Sequence, residues 1–351
     1  MNTTIRKFIS ASTLIKEGRF DLFRYKLLKK LGFKNILPPL PIWLVVEPVN
    51  FCNLRCPICP FGSGKMTRSP RVMTFLEFKK IIDEVRGYTT KMLLYNYGEP
   101  FLNPEIFEMI RYAADADIRV RLSTNGMLIK SKEMAEEIIR SGAWHLTFSF
   151  DGLDQETLTK YRKGANVDDV IRAIELVVGA KRELGSKTPK IELQFLVTKN
   201  NEHQRKAMGE FAQKIGVDSY LEKSLHLYGE TDFQDIAKEY LPSDLSFSRY
   251  NIKEGGVSVS MGEIKNKCTL VEESAAINSD GSVVPCYYDF NSQYTMGNVF
   301  GENLKDIWKN KKYQAFRQQI NKDRKKIPLC TTCPEGREAF MGKRQSVTKA
   351  A

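Results

Sequence analysis

Three cysteines constrain this chain more than any other feature. Cys52, Cys56 and Cys59 lie in FCNLRCPICPFG, residues 51–62, with the spacing C-x3-C-x2-C, and the next cysteine is Cys268. A structural zinc site takes four protein ligands, and a catalytic one usually mixes in histidine or a carboxylate. Ordinary iron–sulfur clusters are also held by four cysteines. Three thiolates this close therefore suit a cluster with one iron left open for something that is not protein. A zinc knuckle short of a ligand, or cysteines packed as small apolar residues, is the competing reading. Against it, the three follow a buried strand-like run and sit in a loop with Pro57 and Pro60.

The 351 residues suffice for one large α/β unit and a smaller one. Apolar content of 42% and charged content of 27% describe a soluble globular protein. No run of about 18 apolar residues calls for a membrane span, and residues 1–9 carry no apolar signal core. Seven cysteines in short clusters argue for a reducing cytoplasm and metal binding rather than a disulfide framework. The formal charge of +12 gathers at residues 1–35, at 309–326 and at Lys343, Arg344 and Lys349. It is either a solvated surface or an attraction for an anionic partner. No nucleic-acid motif accompanies it, so no nucleic acid is expected.

Residues 1–41 read as a basic amphipathic extension. Phe20, Phe23, Leu27 and Leu31 recur at helical spacing among Arg19, Arg24, Lys26, Lys29 and Lys30. Such a helix either docks on the main domain or lies on a membrane surface through residues 19–31. Pro38, Pro39 and Pro41 then impose an extended linker. From Ile42, strand-like runs at 42–49, 92–97, 118–123, 144–150, 190–198 and 217–225 alternate with helical stretches at 74–86, 104–116, 131–141, 166–185 and 201–215. Thr74, Asn103, Ser131 and Asp154 are candidate N-caps. The alternation predicts six parallel strands with crossover helices, as an open doubly wound sheet or a partial barrel, with function at the carboxyl ends of the strands.

Within 144–151, Trp144, Leu146, Phe148 and Phe150 oppose His145, Thr147, Ser149 and Asp151. Within 190–197, Ile191, Leu193, Phe195 and Val197 oppose Glu192, Gln194 and Leu196. The apolar set faces the helices, so the polar set lines an interior suited to a polar ligand or to ion pairs of Arg119 and Arg121 with Glu47 and Glu192. Residues 226–261 read as a connection, 262–341 as a second unit with a helix at 303–320, and 342–351 as a disordered tail.

CNLRCPIC at the end of the first strand resembles the cluster motif of the radical S-adenosylmethionine (radical SAM) superfamily, over about residues 42–340. The resemblance implies a partial (β/α)6 TIM-like barrel over 42–225. It also implies a four-iron four-sulfur cluster whose open iron is chelated by S-adenosylmethionine. Ile58 stands where many members carry an aromatic residue. Tyr97-Gly98-Glu99-Pro100 resembles the family's motif for the methionine ammonium, with a carboxylate opposite the cation and Gly98 allowing close approach. STNG at 123–126 closes the third strand and SFDG at 149–152 the fourth. By resemblance Ser149 and Asp151 lie near the ribose, Arg162 pairs the methionine carboxylate, and Gln194 contacts adenine or substrate. Turn chemistry alone also explains Asn125-Gly126 and Asp151-Gly152.

The other four cysteines are also patterned. Cys268 and Cys286 bracket Gly281 as C-x12-G-x4-C, and Cys330 and Cys333 follow as C-x2-C. This is similar to the SPASM/twitch subfamily in its shorter form, which implies one auxiliary four-iron cluster. A structural four-cysteine zinc site is the alternative.

The expectation is therefore a cytoplasmic radical SAM enzyme, fed by flavodoxin or ferredoxin. It would oxidise or otherwise modify a small molecule, a glycan or a lipid-linked substrate, the last with peripheral membrane contact. Rivals are a ribosomal-peptide maturase and a non-catalytic electron-transfer or zinc protein. Tyr95, Tyr97, Glu192, Glu222, Lys223 and His226 are further candidate groups near the substrate.

Overall fold

The structure, a computed structural model, describes residues 19–33, 36–227, 233–253, 256–259, 264–331, 333, 335 and 342–347. Six parallel strands stand side by side in chain order: β1 (Trp43–Val46), β2 (Lys91–Leu93), β3 (Arg119–Thr124), β4 (His145–Ser149), β5 (Lys190–Val197) and β6 (Ser219–Ser224). Sequential parallel order with crossover helices is the partial barrel, one of the two arrangements the alternation allows and the one the resemblance implies. Between the strands run α2 (Phe75–Val85), α3 (Ile106–Asp115), α4 (Lys132–Arg140), a short α5 (Gln155–Tyr161), α6 (Val167–Glu183) and α7 (Arg205–Ile215). Thr74 caps α2 in a reciprocal capping box with Glu77, and Ser131 and Asp154 cap α4 and α5. Asn103 stands two residues before the cap position of α3, and its Oδ1 accepts from Glu105 N at 2.9 Å. Its Nδ2 donates to Pro48 O and Met73 O, joining two loops at the strand ends.

The apolar faces of the strands meet the helices as expected. Leu146, Phe148, Ile191, Leu193 and Phe195 are fully or almost fully buried in one continuous core with α2–α7. On the lumen face Arg121 Nη2 donates to Glu192 Oε1 at 2.6 Å. The expected pair of Arg119 with Glu47 does not form: Arg119 lies over the Trp144 ring, and Glu47 takes two bonds from Arg68 at 2.7 and 2.8 Å.

Both edges of the six-stranded sheet are covered by the C-terminal part of the chain. β9 (Ser274–Ile277) pairs parallel with β1 and carries β10 (Ser282–Val284) and β11 (Gly297–Asn298) as antiparallel neighbours. At the far edge β12 (Gly342–Ser346) pairs antiparallel with β6. The tail is therefore not disordered over 342–346. Its backbone satisfies an edge that would otherwise be open, and Arg344 reaches Glu192 from that edge, with Nη2 to Oε1 at 3.2 Å.

Between the barrel and these strands lie α8 (Phe233–Tyr240) and a hairpin of β7 (Tyr250–Lys253) and β8 (Gly256–Val259), with α9 (Thr269–Glu273) leading into β9. The helix expected at 303–320 is two: α10 (Leu304–Lys309) and α11 (Lys311–Asp323). Asn310 is extended, ends the first and caps the second through Tyr313 N. The break lets Trp308 and Tyr313 meet edge to face at 4.8 Å, while Trp308 Nε1 donates to Pro38 O. A short α12 (Pro328–Thr331) carries Cys330.

The N-terminal helix, α1 (Phe20–Lys30), docks through Leu22 and Tyr25. Arg19 anchors it, donating to Thr89 O at 2.7 Å and Asp117 O at 2.8 Å. These carbonyls precede β2 and β3, so α1 sits at the amino ends of the strands, opposite the cysteine loop. Among the described residues, no helix is long and apolar enough to cross a membrane.

Glu192 is the charge on which the lumen network turns. Burial pushes its carboxyl up, but Arg121 and Arg344 outweigh this and hold it below the ordinary value of 4.5. Its stabilisation is present above pH 4.5 and is lost as pH falls through the lower folded value. Glu192→Ala is expected to lose about 3 kcal/mol or more, because it strands two arginines. Arg344→Ala, which keeps the Arg121 pair, should lose less. Anaerobic urea denaturation at pH 7 and pH 4 checks both statements, and the acid sensitivity should be weaker in Glu192→Ala.

Candidate active site

The loop that leaves β1 holds Cys52, Cys56 and Cys59. Phe51 O accepts from Glu99 N at 3.1 Å, which ties the loop to the end of β2. Gly98 makes that approach possible, since a Cβ there would lie 2.0 Å from Val49 O and 2.9 Å from Phe51 O. The close neighbour of Gly98 is thus the chain's own first strand end. Glu99 is buried, and its oxygens accept from Thr124 Oγ1 at 2.8 Å and Asn125 N at 2.9 Å. Burial raises its pKa to about 7. Glu99 therefore joins β2 to β3 as well as presenting a carboxyl group beside the cysteines. Asn125 Nδ2 then reaches Cys52 Sγ at 3.6 Å and Asn53 Oδ1 at 2.9 Å. Thr124 and Asn125 were legible only as part of STNG, and their bonds to Glu99 and the loop go beyond turn chemistry.

At the end of β4, Asp151 ties α5 to β5. Its Oδ2 accepts from Arg162 Nε at 2.6 Å, and its Oδ1 from Leu196 N at 2.7 Å. A Cβ on Gly152 would lie 2.4 Å from Leu158 N, so only glycine lets α5 fold back onto the strand end. That return places Arg162, at the end of α5, against Asp151 and within 3.9 Å of Cys56 Sγ. Asp151 thus aims Arg162, each of its oxygens taking one bond from the protein. Ser149 shares a 3.4 Å contact with Ser123 on the lumen face, and Gln194 pairs in register with Ser149 across β4 and β5. Asn201, which the sequence did not single out, donates from Nδ2 to Asp151 O and Leu196 O, both at 2.9 Å.

All seven cysteines are free thiols. Burial, with the charges of Glu99, Cys56 and Cys59, pushes the Cys52 thiol up to about 12. Burial raises Cys56 too, against the pull of Arg162. Thiols that oppose one another's ionisation can become a thiolate set only around a cationic centre. This donor set fits an iron–sulfur cluster, and Arg162 lies within 3.9 Å of Cys56 Sγ.

The second set has the same character. Burial raises Cys286 well above the usual thiol range, and Cys333, Cys268 and Cys330 add to it. Arg324 Nη2 donates to Cys333 Sγ at 3.4 Å. Among the described residues, no three His, Cys, Asp or Glu side chains are gathered around the position of a single metal ion. The two sets are joined by the loop after Cys286. Tyr97 OH donates to Tyr287 O at 2.7 Å, Arg68 Nε to Phe290 O at 2.7 Å, and Thr67 N to Asn291 Oδ1 at 2.8 Å.

A model of the radical SAM superfamily matches residues 46–188, and a model of the SPASM iron–sulfur cluster-binding domain matches residues 268–334. The tungsten-containing aldehyde ferredoxin oxidoreductase cofactor-modifying protein of Pyrococcus furiosus is 29% identical over 315 residues, 83% of this chain and 86% of that protein. The AdoMet-dependent heme synthase of Methanosarcina barkeri is 26% identical over 310 residues, 80% of this chain and 84% of that protein. The crystal structure of Streptococcus suis SuiB bound to S-adenosylmethionine shares the fold with a TM-score of 0.61 at 19% identity, over 88% of this chain and 76% of that one. Cysteine loop, strand-end motifs and second cysteine set all fall within the matched span, and the chain belongs to the radical SAM superfamily, with a C-terminal SPASM domain, S-adenosylmethionine and two four-iron clusters as cofactors.

Proposed function

We propose that this enzyme oxidises a small molecule or sugar: a substrate hydrogen atom would pass to the 5′-deoxyadenosyl radical, the second electron to an auxiliary cluster held by Cys268, Cys286, Cys330 and Cys333, and the remaining proton to solvent. The observation that carries this reading is the direct stitching of the Cys286 loop to the chain that follows Cys59 and to Tyr97. Cys52, Cys56 and Cys59 hold the first cluster, and Cys268, Cys286, Cys330 and Cys333 the second. The first cluster, when reduced, supplies the electron that splits S-adenosylmethionine to the 5′-deoxyadenosyl radical.

The protein's part is to hold and aim. Arg162, fixed by Asp151, offers its remaining guanidinium donors to the methionine carboxylate. Glu99, half ionised near pH 7 at its raised pKa of about 7, faces the ammonium. Ser149 and Gln194 present short polar groups to the ribose and adenine. Ligation by all four of Cys268, Cys286, Cys330 and Cys333 would suit a cluster that transfers electrons rather than binds substrate. A flavodoxin- or ferredoxin-type protein supplies the reducing electron. A lipid-linked substrate gains no support from α1, because that helix lies at the amino ends of the strands.

Anaerobically reconstituted, reduced protein should form 5′-deoxyadenosine from S-adenosylmethionine. Arg162→Ala should weaken cofactor binding about tenfold or more, in line with the loss of a charge-assisted bond. Equilibrium dialysis with labelled cofactor measures this, and unchanged affinity would remove Arg162 from the site. Iron analysis should give about eight irons per chain, and about four in the Cys52→Ala, Cys56→Ala, Cys59→Ala variant. Zinc in the C-terminal set would refute the second cluster's ligand assignment.

A further inference from the structure

Among the described residues, the carboxylates that form ion pairs in the lumen are fewer than its cations. Arg162 takes Asp151, and Arg121 and Arg344 share Glu192. Among the described residues, Lys223 and Arg249 have no carboxylate partner.

Lys223 alternates with Ser219 and Leu221 along β6, and Ser219 Oγ meets Glu192 at 3.3 Å. Lys223 therefore points into the lumen, near the carboxyl end of the strand and in register with Leu196 of β5. Its side chain is open to solvent but surrounded by protein. That desolvation, then the charges of Arg249 and Arg121, draws its pKa down to about 8. Arg249 is only 1% exposed and is locked onto the end of the same strand, with Nε to Ser224 Oγ at 2.8 Å and Nη2 to Ser224 O at 3.0 Å. Three residues beyond Lys223, His226 stacks on Tyr288 at 4.3 Å. Burial, then Arg249 and Lys223, keep its imidazole neutral. Tyr288 belongs to the segment after Cys286, so this cationic corner faces the C-terminal domain.

The opposite wall differs in kind. Val45, Ala276 and Val284 form a small cluster of their own, with Trp43, Leu93 and Tyr287 packed on it. Val45 alternates with Leu44 and Val46, which belong to the core beneath the helices. The separate cluster is therefore the lumen face of β1, β2, β9 and β10.

Two neighbouring cations with no carboxylate partner among the described residues, one of them buried, cost free energy that a bound anion would offset. We propose that the substrate is an amphipathic anion, with a carboxylate or phosphate group against Lys223 and an apolar body along Trp43, Leu93 and Tyr287. This deepens the functional reading above and rests on it for the identity of the lumen as the substrate chamber.

The test titrates sodium benzoate, acetate and inorganic phosphate into the reconstituted protein by calorimetry, with and without saturating S-adenosylmethionine. Benzoate should bind alongside the cofactor and more tightly than acetate, and phosphate against acetate tells which anionic group the corner prefers. Lys223→Met should weaken benzoate about tenfold or more, and Lys223→Arg should retain binding, which separates lost charge from misfolding. Equal affinity in wild type and Lys223→Met, or no binding of any probe, would overturn the proposal. So would competition with S-adenosylmethionine, because Lys223 would then serve the cofactor carboxylate. Formation of 5′-deoxyadenosine by the same preparation is scored separately. If it fails while benzoate still binds through Lys223, the radical reading falls and the anion site stands.

Discussion

The active end of this barrel depends on one buried carboxyl group. Glu99 accepts from Thr124 and the Asn125 amide, while its own amide donates to Phe51. Three strand ends are thereby fixed around the cysteine loop. Without Glu99, Asn125 would lose the amide bond that holds it beside Cys52. The side chain is costly to bury, as its raised pKa shows, and a bound ammonium would relieve that cost. Asp151 does the same work at β4 and β5. It takes bonds from Arg162 and Leu196, and its product is the fixed direction of Arg162.

The C-terminal part of the chain is more than an appended cluster carrier. It supplies a parallel strand at one edge of the barrel and an antiparallel strand at the other. It also contributes Arg344 to the charge network inside. The loop after Cys286 rests on Tyr97 and on the segment from Lys65 to Arg68. Folding of the two parts is therefore coupled, and metal bound at either set of thiols should stabilise both.

Much of the barrel was legible because period-two alternation on β4 and β5 separates apolar from polar faces cleanly. The cysteine spacings and the strand-end motifs were legible for the same local reason. Long-range pairing was not. Nothing in GKRQS marks an edge strand, since its place is fixed by backbone bonds to β6. Arg68 follows a loop, and only the fold brings it to Glu47. The seven-residue helix α5 is too short for periodicity to show. Asn310 looked like one more polar residue in a helix, yet it ends one helix and caps the next. Asp151 and Gly152 looked like a turn, and the tertiary contact of Gly152 with Leu158 is what gives the pair its role.

The central claim is that S-adenosylmethionine occupies the iron left open by Cys52, Cys56 and Cys59. Electron paramagnetic resonance of the reduced protein, recorded before and after the cofactor is added, tests it most directly. The first cluster's signal should shift in the wild type and in a Cys268→Ala variant, and should be missing from the Cys52→Ala, Cys56→Ala, Cys59→Ala variant. A spectrum indifferent to S-adenosylmethionine, or a shift that survives loss of those three cysteines, would contradict the assignment.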